Sequence, residues 1–339
     1  MTKTTKELSV IIPAYNMQDY LERCLKSLIP AIDLLDVIVV NDGSTDDTIK
    51  IAKQYFKKYP DSITVIDKEN GGHGSAVNAG VKIAKGKYLR VLDADDWLSS
   101  ADLEQYLKVL HTEPADLIVT EYSRDDLKKI ENIKLNYFEY EKPFKLNKIQ
   151  ELSPKLQIEF LAIHSITVKT ENYRREAELL EKTFYEDQEF VAKAILAADN
   201  FVVLPFNIYQ YYIGRADQSV SPKKQFKHRE DHARVITRLV ELYVSCKNAV
   251  KKEILAARIK EIYKTHYWIY NYNSESTFKE RRECKRFCRT TKKQFSELDG
   301  AVSAGFKMRL FIGRIKNKLK GKKWITITLL LAQVSLVRP

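Results

Sequence analysis

Four short apolar runs at near-regular spacing constrain this chain more than any other feature: Leu8–Ile12, Val37–Val40, Ile63–Ile66 and Tyr88–Leu92. Each is short and rich in strand-forming residues, so each reads as a buried strand. The segments between them have helical character. Tyr20, Leu21, Cys24, Leu25 and Leu28 share one helical face, and Pro30 lies just past its end. Asn41–Asp46 reads as a turn with Ser44 or Thr45 capping a helix that runs to about Lys58. The glycine-rich loop Glu69–Ser75 opens a third helix, to about Ala84. A helix near 100–110 and a fifth strand at Asp116–Thr120 follow. Alternating strands and helices with short links imply an α/β, Rossmann-like, mostly parallel sheet flanked by helices and joined by right-handed crossovers. The loops after Ile12, Val40, Ile66 and Leu92 then share one sheet edge, where open α/β sheets bind their ligands. Tyr15, Asp42, Asn70 and the acidic residues from Asp93 onward would converge there.

The last of these loops carries the most chemistry. In Leu92-Asp93-Ala94-Asp95-Asp96-Trp97, three carboxylates fall within four positions at a strand end. Like charges this close repel unless a cation or solvent relieves them. A hard divalent cation takes oxygen ligands and keeps sites open for substrate phosphates. A metal–diphosphate site and a solvated helix N-terminus, where Asp is also favoured, are the two readings of this stretch by itself. Trp97 reads as packing under the carboxylate loop.

Downstream, residues 122–150 are polar, Lys-rich and aromatic without a clear period, an excursion beside the cleft. Ile163–Lys169 reads as a strand. Phe184-Tyr185-Glu186-Asp187 opens a helix with an apolar face at Phe190, Val191, Ala194 and Ile195. Phe201–Leu204 and Ile208–Ile213 read as two further strands, and Gly214–Ser221 as a loop. From Pro222 the pattern is helical and basic. Residues 222–339 hold 29 Lys/Arg against 10 Asp/Glu, leaving 28 against 35 for residues 1–221. That split divides the chain into a domain at 1–221 and a C-terminal α-helical domain at 222–339 with a different partner. Core spacing at Val235, Leu239, Leu242 and Tyr243, and at Ile254, Leu255, Ile259 and Ile262, points first to packing or a homo-oligomer. The basic, amphipathic Phe306–Lys323 stretch offers peripheral membrane contact, and the positive surface suits an anionic polymer. No nucleic-acid motif accompanies the charge. Four cysteines in 339 residues make no disulfide framework. The polar N-terminus lacks an apolar leader, so the expected location is cytoplasmic, at the inner membrane face if the basic segment docks there.

Five stretches in order resemble the family 2 glycosyltransferases of the GT-A fold: Pro13-Ala14-Tyr15-Asn16, Val40–Thr48, Asn70–Gly80, Leu92–Asp96 and Tyr185–Phe190. The resemblance covers residues 7–221. It implies an inverting, metal-dependent transferase that uses a UDP-sugar (glucose, N-acetylglucosamine or galactose) and Mn2+ or Mg2+. The acceptor would be a hydroxyl of a glycan, glycoprotein or cell-surface polymer. By position, Pro13, Ala14, Tyr15, Asn16 and Asp42 would hold the nucleobase and ribose, with Asp42 accepting from the uracil N–H. Asn70, Gly71, Gly72, His73, Gly74 and Asn78 would line the donor site. Asp93 would meet the ribose or the metal, Asp95 would bind the metal, and Ala94 would be part of the donor site. Asp187 would be the catalytic base, with Glu186 in support. Arg215, Gln218, Ser219 and Ser221 resemble a loop that closes over the diphosphate. The family's Arg before the Asn of its Asn-x-Gly motif is Val77 here, so Arg90 or Arg215 is expected to take over that diphosphate contact. A non-catalytic nucleotide-sugar-binding partner is the alternative, and the intact Asp93, Asp95 and Asp187 argue against it.

Overall fold

In the computed structural model, the described residues are 6–126, 129–134, 144–154, 156, 161–213, 222–272 and 276–296. They fall into two compact units, within residues 1–263 and 264–339. The first unit runs past residue 221, where the charge split placed a boundary.

The first unit is built on one sheet. β1 (Leu8–Ala14), β2 (Leu35–Asp42), β3 (Ile63–Lys68) and β4 (Tyr88–Val91) are linked by α1 (Leu21–Leu28), α2 (Thr48–Lys58) and α3 (His73–Ile83). β5 (Trp97–Leu98), α4 (Ser100–Thr112), β6 (Leu117–Asp126), β7 (Lys129–Lys134), β8 (Gln150–Glu151) and β9 (Ile166–Lys169) follow. Then come α5 (Thr170–Arg174), α6 (Asp187–Ala197), β10 (Asn200–Ile213), α7 (Pro222–Lys227), α8 (Arg229–Ser245) and α9 (Ala249–Tyr272), the last running past the boundary after Tyr263. The strand order is β3-β2-β1-β4-β9-β6-β10-β5, with β7 on β6 and β8 on β10.

The first four strands pair in parallel as expected. Beyond them the sheet is more mixed than the mostly parallel one expected. β9 runs antiparallel to both β4 and β6, and β5 antiparallel to β10, while β10 is parallel to β6. Parallel neighbours need a crossover, usually a helix, and β9 is instead reached from β6 by an excursion that includes β7 and β8. The two strands expected at 201–204 and 208–213 are one: β10 crosses the exposed Pro205 through an irregularity between Leu204 and Asn207.

Side chains alternate across the pleat, so β1 serves two cores. Leu8, Val10 and Ile12 pack with Leu21, Leu25 and Leu28 of α1 and Leu103, Tyr106 and Leu107 of α4. Ile11 faces the other way, with Ala76 and Val77 of α3 and Phe190, Val191 and Ile195 of α6. The second core also takes Ile254 from α9. α8 is joined to α6 by a buried ion pair. Glu189 and Lys193 of α6 are both wholly buried, with Lys193 Nζ 2.7 Å from Glu189 Oε1, and Arg238 Nε donates to the same oxygen at 3.0 Å. Glu189 Oε2 accepts the Leu180 N–H at 2.9 Å, and Lys193 donates to the Glu178 carbonyl at 2.7 Å. This network ties the segment before α6 to the helices behind it.

In the second unit, α10 (Phe278–Gln294) starts from a capping box. Thr277 Oγ1 accepts the Glu280 N–H, and Glu280 Oε2 accepts the Thr277 N–H.

Candidate active site

The carboxylates after β4 are not equivalent. Asp96 is wholly buried: its Oδ2 accepts the Tyr209 hydroxyl at 2.5 Å and its Oδ1 the Tyr212 N–H at 2.8 Å. Burial, then the neighbouring Asp93 and Asp95, pushes its carboxyl well above the usual range. Asp96 therefore anchors the loop to β10. Tyr209 Oη also accepts the Asp93 N–H at 3.2 Å. On the other side, Arg23 of α1 donates to the Asp95 carbonyl at 2.6 Å and stacks over Trp97, 4.2 Å from its centroid. Trp97 packs within the loop's support, as expected. The loop is thus fixed by its backbone and by Asp96.

The glycine-rich loop is organised by Asp42, at the end of β2. Asp42 Oδ1 accepts Lys68 Nζ at 2.8 Å and the Gly71 N–H at 2.9 Å, Oδ2 accepts the Gly72 N–H at 2.8 Å, and its carbonyl takes Asn70 Nδ2 at 2.9 Å. Of the four acceptor positions on this carboxylate, three are filled from within the chain. At most one, on Oδ2, remains for the uracil N–H expected there. Gly72 has φ of +85°, which admits glycine readily and lets the loop turn into α3.

α3 carries His73 at its first position. His73 Nε2 lies 2.9 Å from Asp93 Oδ1 and Nδ1 lies 2.7 Å from Glu186 Oε1. One imidazole thus joins the carboxylate loop after β4 to the acidic pair at the head of α6. Burial opposes charge on His73, but the Glu186 and Asp93 carboxylates outweigh it and raise the imidazole well above its usual pKa. The contact needs close approach of α3 to the 179–186 segment. A Cβ on Gly74 would sit 2.3 Å from the Leu180 carbonyl oxygen and 3.2 Å from Glu186 Cγ. Asn78, one turn on, donates Nδ2 to the Leu179 carbonyl at 3.0 Å and accepts the Leu179 N–H at 2.8 Å. Its amide is thus occupied under the site, not in the donor-lining position expected for it. Asp187 begins α6. Burial and then Glu186 raise its carboxyl from the usual 3.8 to about 6, against the pull of Arg258, Gln188 and His73.

The remaining expectations divide. Pro13 and Ala14 lie in β1, both buried, and Ala94 is buried beside Asp93. Tyr15 is 48 % exposed at the same sheet edge. Asn16 has φ of +52°, which Asn tolerates, and its Oδ1 accepts the Thr45 N–H at 2.8 Å. Ser44 and Thr45 do not cap α2. Ser44 Oγ accepts the Asn16 N–H, and Asp46 Oδ1 accepts the first helical N–H, that of Thr48. Arg90 cannot meet a diphosphate: it is wholly buried in β4, donating to the His164 carbonyl at 2.8 Å. Arg215, Gln218, Ser219 and Ser221 lie outside the described residues. Residues not anticipated are Tyr209, Lys68, Gln188 and Arg258. Lys68 ends β3 at the shared edge, and Arg258 interrupts the apolar face of Ile254 and Ile262 at helical spacing. Both signals were present in the sequence.

Asp93 and Asp95 offer hard oxygen donors, the chemistry that Mg2+ or Mn2+ takes. Among the described residues, no group of three His, Cys, Asp or Glu gathers as a metal site. The protein's share would be these two carboxylates, in the mode where one or two carboxylates and substrate phosphates hold the ion.

Fold and site together define a GT-A α/β protein with its acidic groups gathered at the carboxyl edge of the sheet. Residues 9–170 match the model of glycosyl transferase family 2. It is 43% identical over 97 residues to the uncharacterized glycosyltransferase YibD of Escherichia coli, 28% of each chain. It is 38% identical over 117 residues to the minor teichoic acid biosynthesis protein GgaB of Bacillus subtilis, 33% of this chain and 13% of that one. These alignments span well under half of either relative's length. Among solved structures, S. aureus TarS 1-349 in complex with UDP-GlcNAc aligns with a TM-score of 0.68 at 19% identity, over 91% of this chain and 88% of that one. The mannosyltransferase PcManGT from Pyrobaculum calidifontis, in complex with GDP-Man and Mn2+, aligns at 0.51 and 14%, over 93% of this chain and 88% of that one. At such identities these two likenesses speak for the fold alone. No helix among the described residues is long and apolar enough to cross a membrane.

Proposed function

We propose that the protein is an inverting glycosyltransferase that moves a sugar from a UDP-sugar to a hydroxyl of a glycan, glycoprotein or cell-surface polymer. The observation that carries the reading is the His73 bridge. Asp93 and Glu186, 93 positions apart in sequence, touch the same imidazole from opposite sides. The donor's diphosphate would lie towards Asp93 and Asp95 and the acceptor towards Asp187. TarS, whose fold this chain shares, is solved with UDP-GlcNAc, and a UDP-sugar is the donor proposed here.

A bound Mn2+ or Mg2+, held by Asp93 and Asp95, would neutralise charge gathering on the departing diphosphate. Asp187 would take the acceptor's proton as its oxygen attacks the anomeric carbon and the bond to UDP breaks. A carboxyl near pH 6 is ionised at neutral pH yet basic enough to accept a proton, the balance a general base needs. Glu186, buried against His73 at the N-terminus of α6, keeps Asp187 basic by its charge. Asp42 and Lys68 shape the glycine-rich loop that the donor would lie against.

The test is a panel of nucleotide sugars with Mn2+, scored by UDP release, on the intact chain and on Asp187→Asn. Loss of about 10²–10⁴-fold in turnover with UDP affinity retained is expected. Near-normal turnover by Asp187→Asn would remove the base from the proposal. Release from no donor would favour the non-catalytic partner.

A further inference from the structure

Asp187 stands at the head of α6, but the groups that orient it reach back to α9. Gln188 Nε2 donates to Asp187 Oδ2 at 3.0 Å. Gln188 Oε1 accepts from Arg258 Nη1 at 2.6 Å, and Arg258 Nη2 donates to the Leu161 carbonyl at 2.5 Å. Arg258 is 1 % exposed and lies beyond the segment that matches the family model. A buried guanidinium is costly unless its donors are used. Burial draws the Arg258 pKa down to about 10, and the Asp187 carboxylate opposes that fall. An aliphatic side chain would continue the apolar face of Ile254 and Ile262 at no such cost. Only a planar fork reaches Gln188 and Leu161 at once.

We infer that Arg258 is a positioning residue for the base: it clamps Gln188 against Leu161, so that the Gln188 amide holds Asp187 Oδ2 and leaves Oδ1 to meet the acceptor hydroxyl. This rests on reading Asp187 as the base. Among the described residues, the charged groups facing Asp187 are Glu186 beside it, His73 from α3 and Arg258 from α9. Glu186 raises its pKa, while Arg258 and His73 lower it, as does the Gln188 amide. Removing Arg258 or the Gln188 amide should therefore move the acid limb of kcat/KM to higher pH.

The experiment measures UDP release against pH on the full chain, with the donor that the panel identifies, for Arg258→Met, Gln188→Leu and the double variant. UDP affinity and Tm are read alongside. The acid limb should rise by about one unit in each single variant, read as about tenfold lower kcat/KM at about pH 5.5. UDP affinity should be unchanged, and the double variant no worse than Arg258→Met, since both act along one chain of contacts. If Arg258→Met fails to fold, Gln188→Leu carries the test, because Gln188 is only half-buried. A folded variant with a lowered Tm and an unmoved acid limb overturns the inference and leaves Arg258 a packing residue. Near-normal turnover by Asp187→Asn would instead sink the base reading beneath it.

Discussion

Replacing Gly74 by Ala should slow the proposed sugar transfer more than it unfolds the protein. The new methyl would lie 2.3 Å from the Leu180 carbonyl oxygen, so α3 and the 179–186 segment must part by at least about 0.7 Å to reach even tight contact. The carbonyl cannot swing aside freely. The Leu180 N–H is held by Glu189, and both backbone groups of Leu179 are held by Asn78. Overpacking of this kind costs about 1–3 kcal/mol. Ala is a better helix former than Gly by about 1 kcal/mol, which offsets part of that. The net loss is about 0–2 kcal/mol, or at most about 8 °C in Tm for a unit of this size. The catalytic cost is larger, because the segment that must move carries Glu186 and Asp187. A misplacement of about 1 Å costs on the order of 10²-fold in rate. The assay pairs thermal unfolding with kcat at saturating donor. Gly80→Ala is the control. Its Cβ would meet Ile11 in the core at 2.4 Å, away from the acidic pair, so Tm should fall while kcat holds. Wild-type kcat in Gly74→Ala, at whatever Tm, would refute the claim that this contact sets the base.

Three other perturbations follow from the geometry. EDTA should stop UDP release and Mn2+ restore it. Asp93→Asn and Asp95→Asn should raise the Mn2+ needed, whereas Asp96→Asn should lower Tm and leave the Mn2+ requirement in place, because Asp96 is spent on Tyr209 and Tyr212. Below about pH 6, kcat/KM should fall about tenfold per unit as Asp187 is protonated. An acid whose pKa is raised by folding stabilises the fold fully only below its unfolded value, here 3.8, and loses that contribution as pH climbs through about 6. Asp187→Asn should therefore be inactive yet more heat-stable than the parent at neutral pH, and a lower Tm would contradict that sign. Asn78→Ala should lower Tm by several degrees, since it leaves the buried backbone of Leu179 without partners.

The first half of the fold was legible because short, wholly buried apolar runs and helical spacing alternate there without interruption. The second half was less so. β9 enters the sheet without a crossover, and Pro205 in the middle of β10 reads as a break although the strand passes through it. Acidic clusters announce themselves, so Asp93, Asp95, Glu186 and Asp187 stood out. What each carboxylate does depends on which donors reach it, and that is set by distant backbone. Sequence alone cannot separate Asp96, taken by β10, from Asp95 beside it. Nor can it tell that Asp42 spends its oxygens on Lys68, Gly71 and Gly72, or that Arg90 is enclosed between sheet and helix.

The buried pair of Glu189 and Lys193 has a practical consequence for anyone trimming this chain. Both charges lie on the face of α6 that α8 covers, and Arg238 completes their pairing. A fragment ending at residue 221 would keep α6 and strip away that cover. Water would then compete for the carboxylate and the ammonium, and Leu180 and Glu178 would lose their moorings. The helices that look like an appendix are therefore part of the foundation of the helix that Asp187 opens.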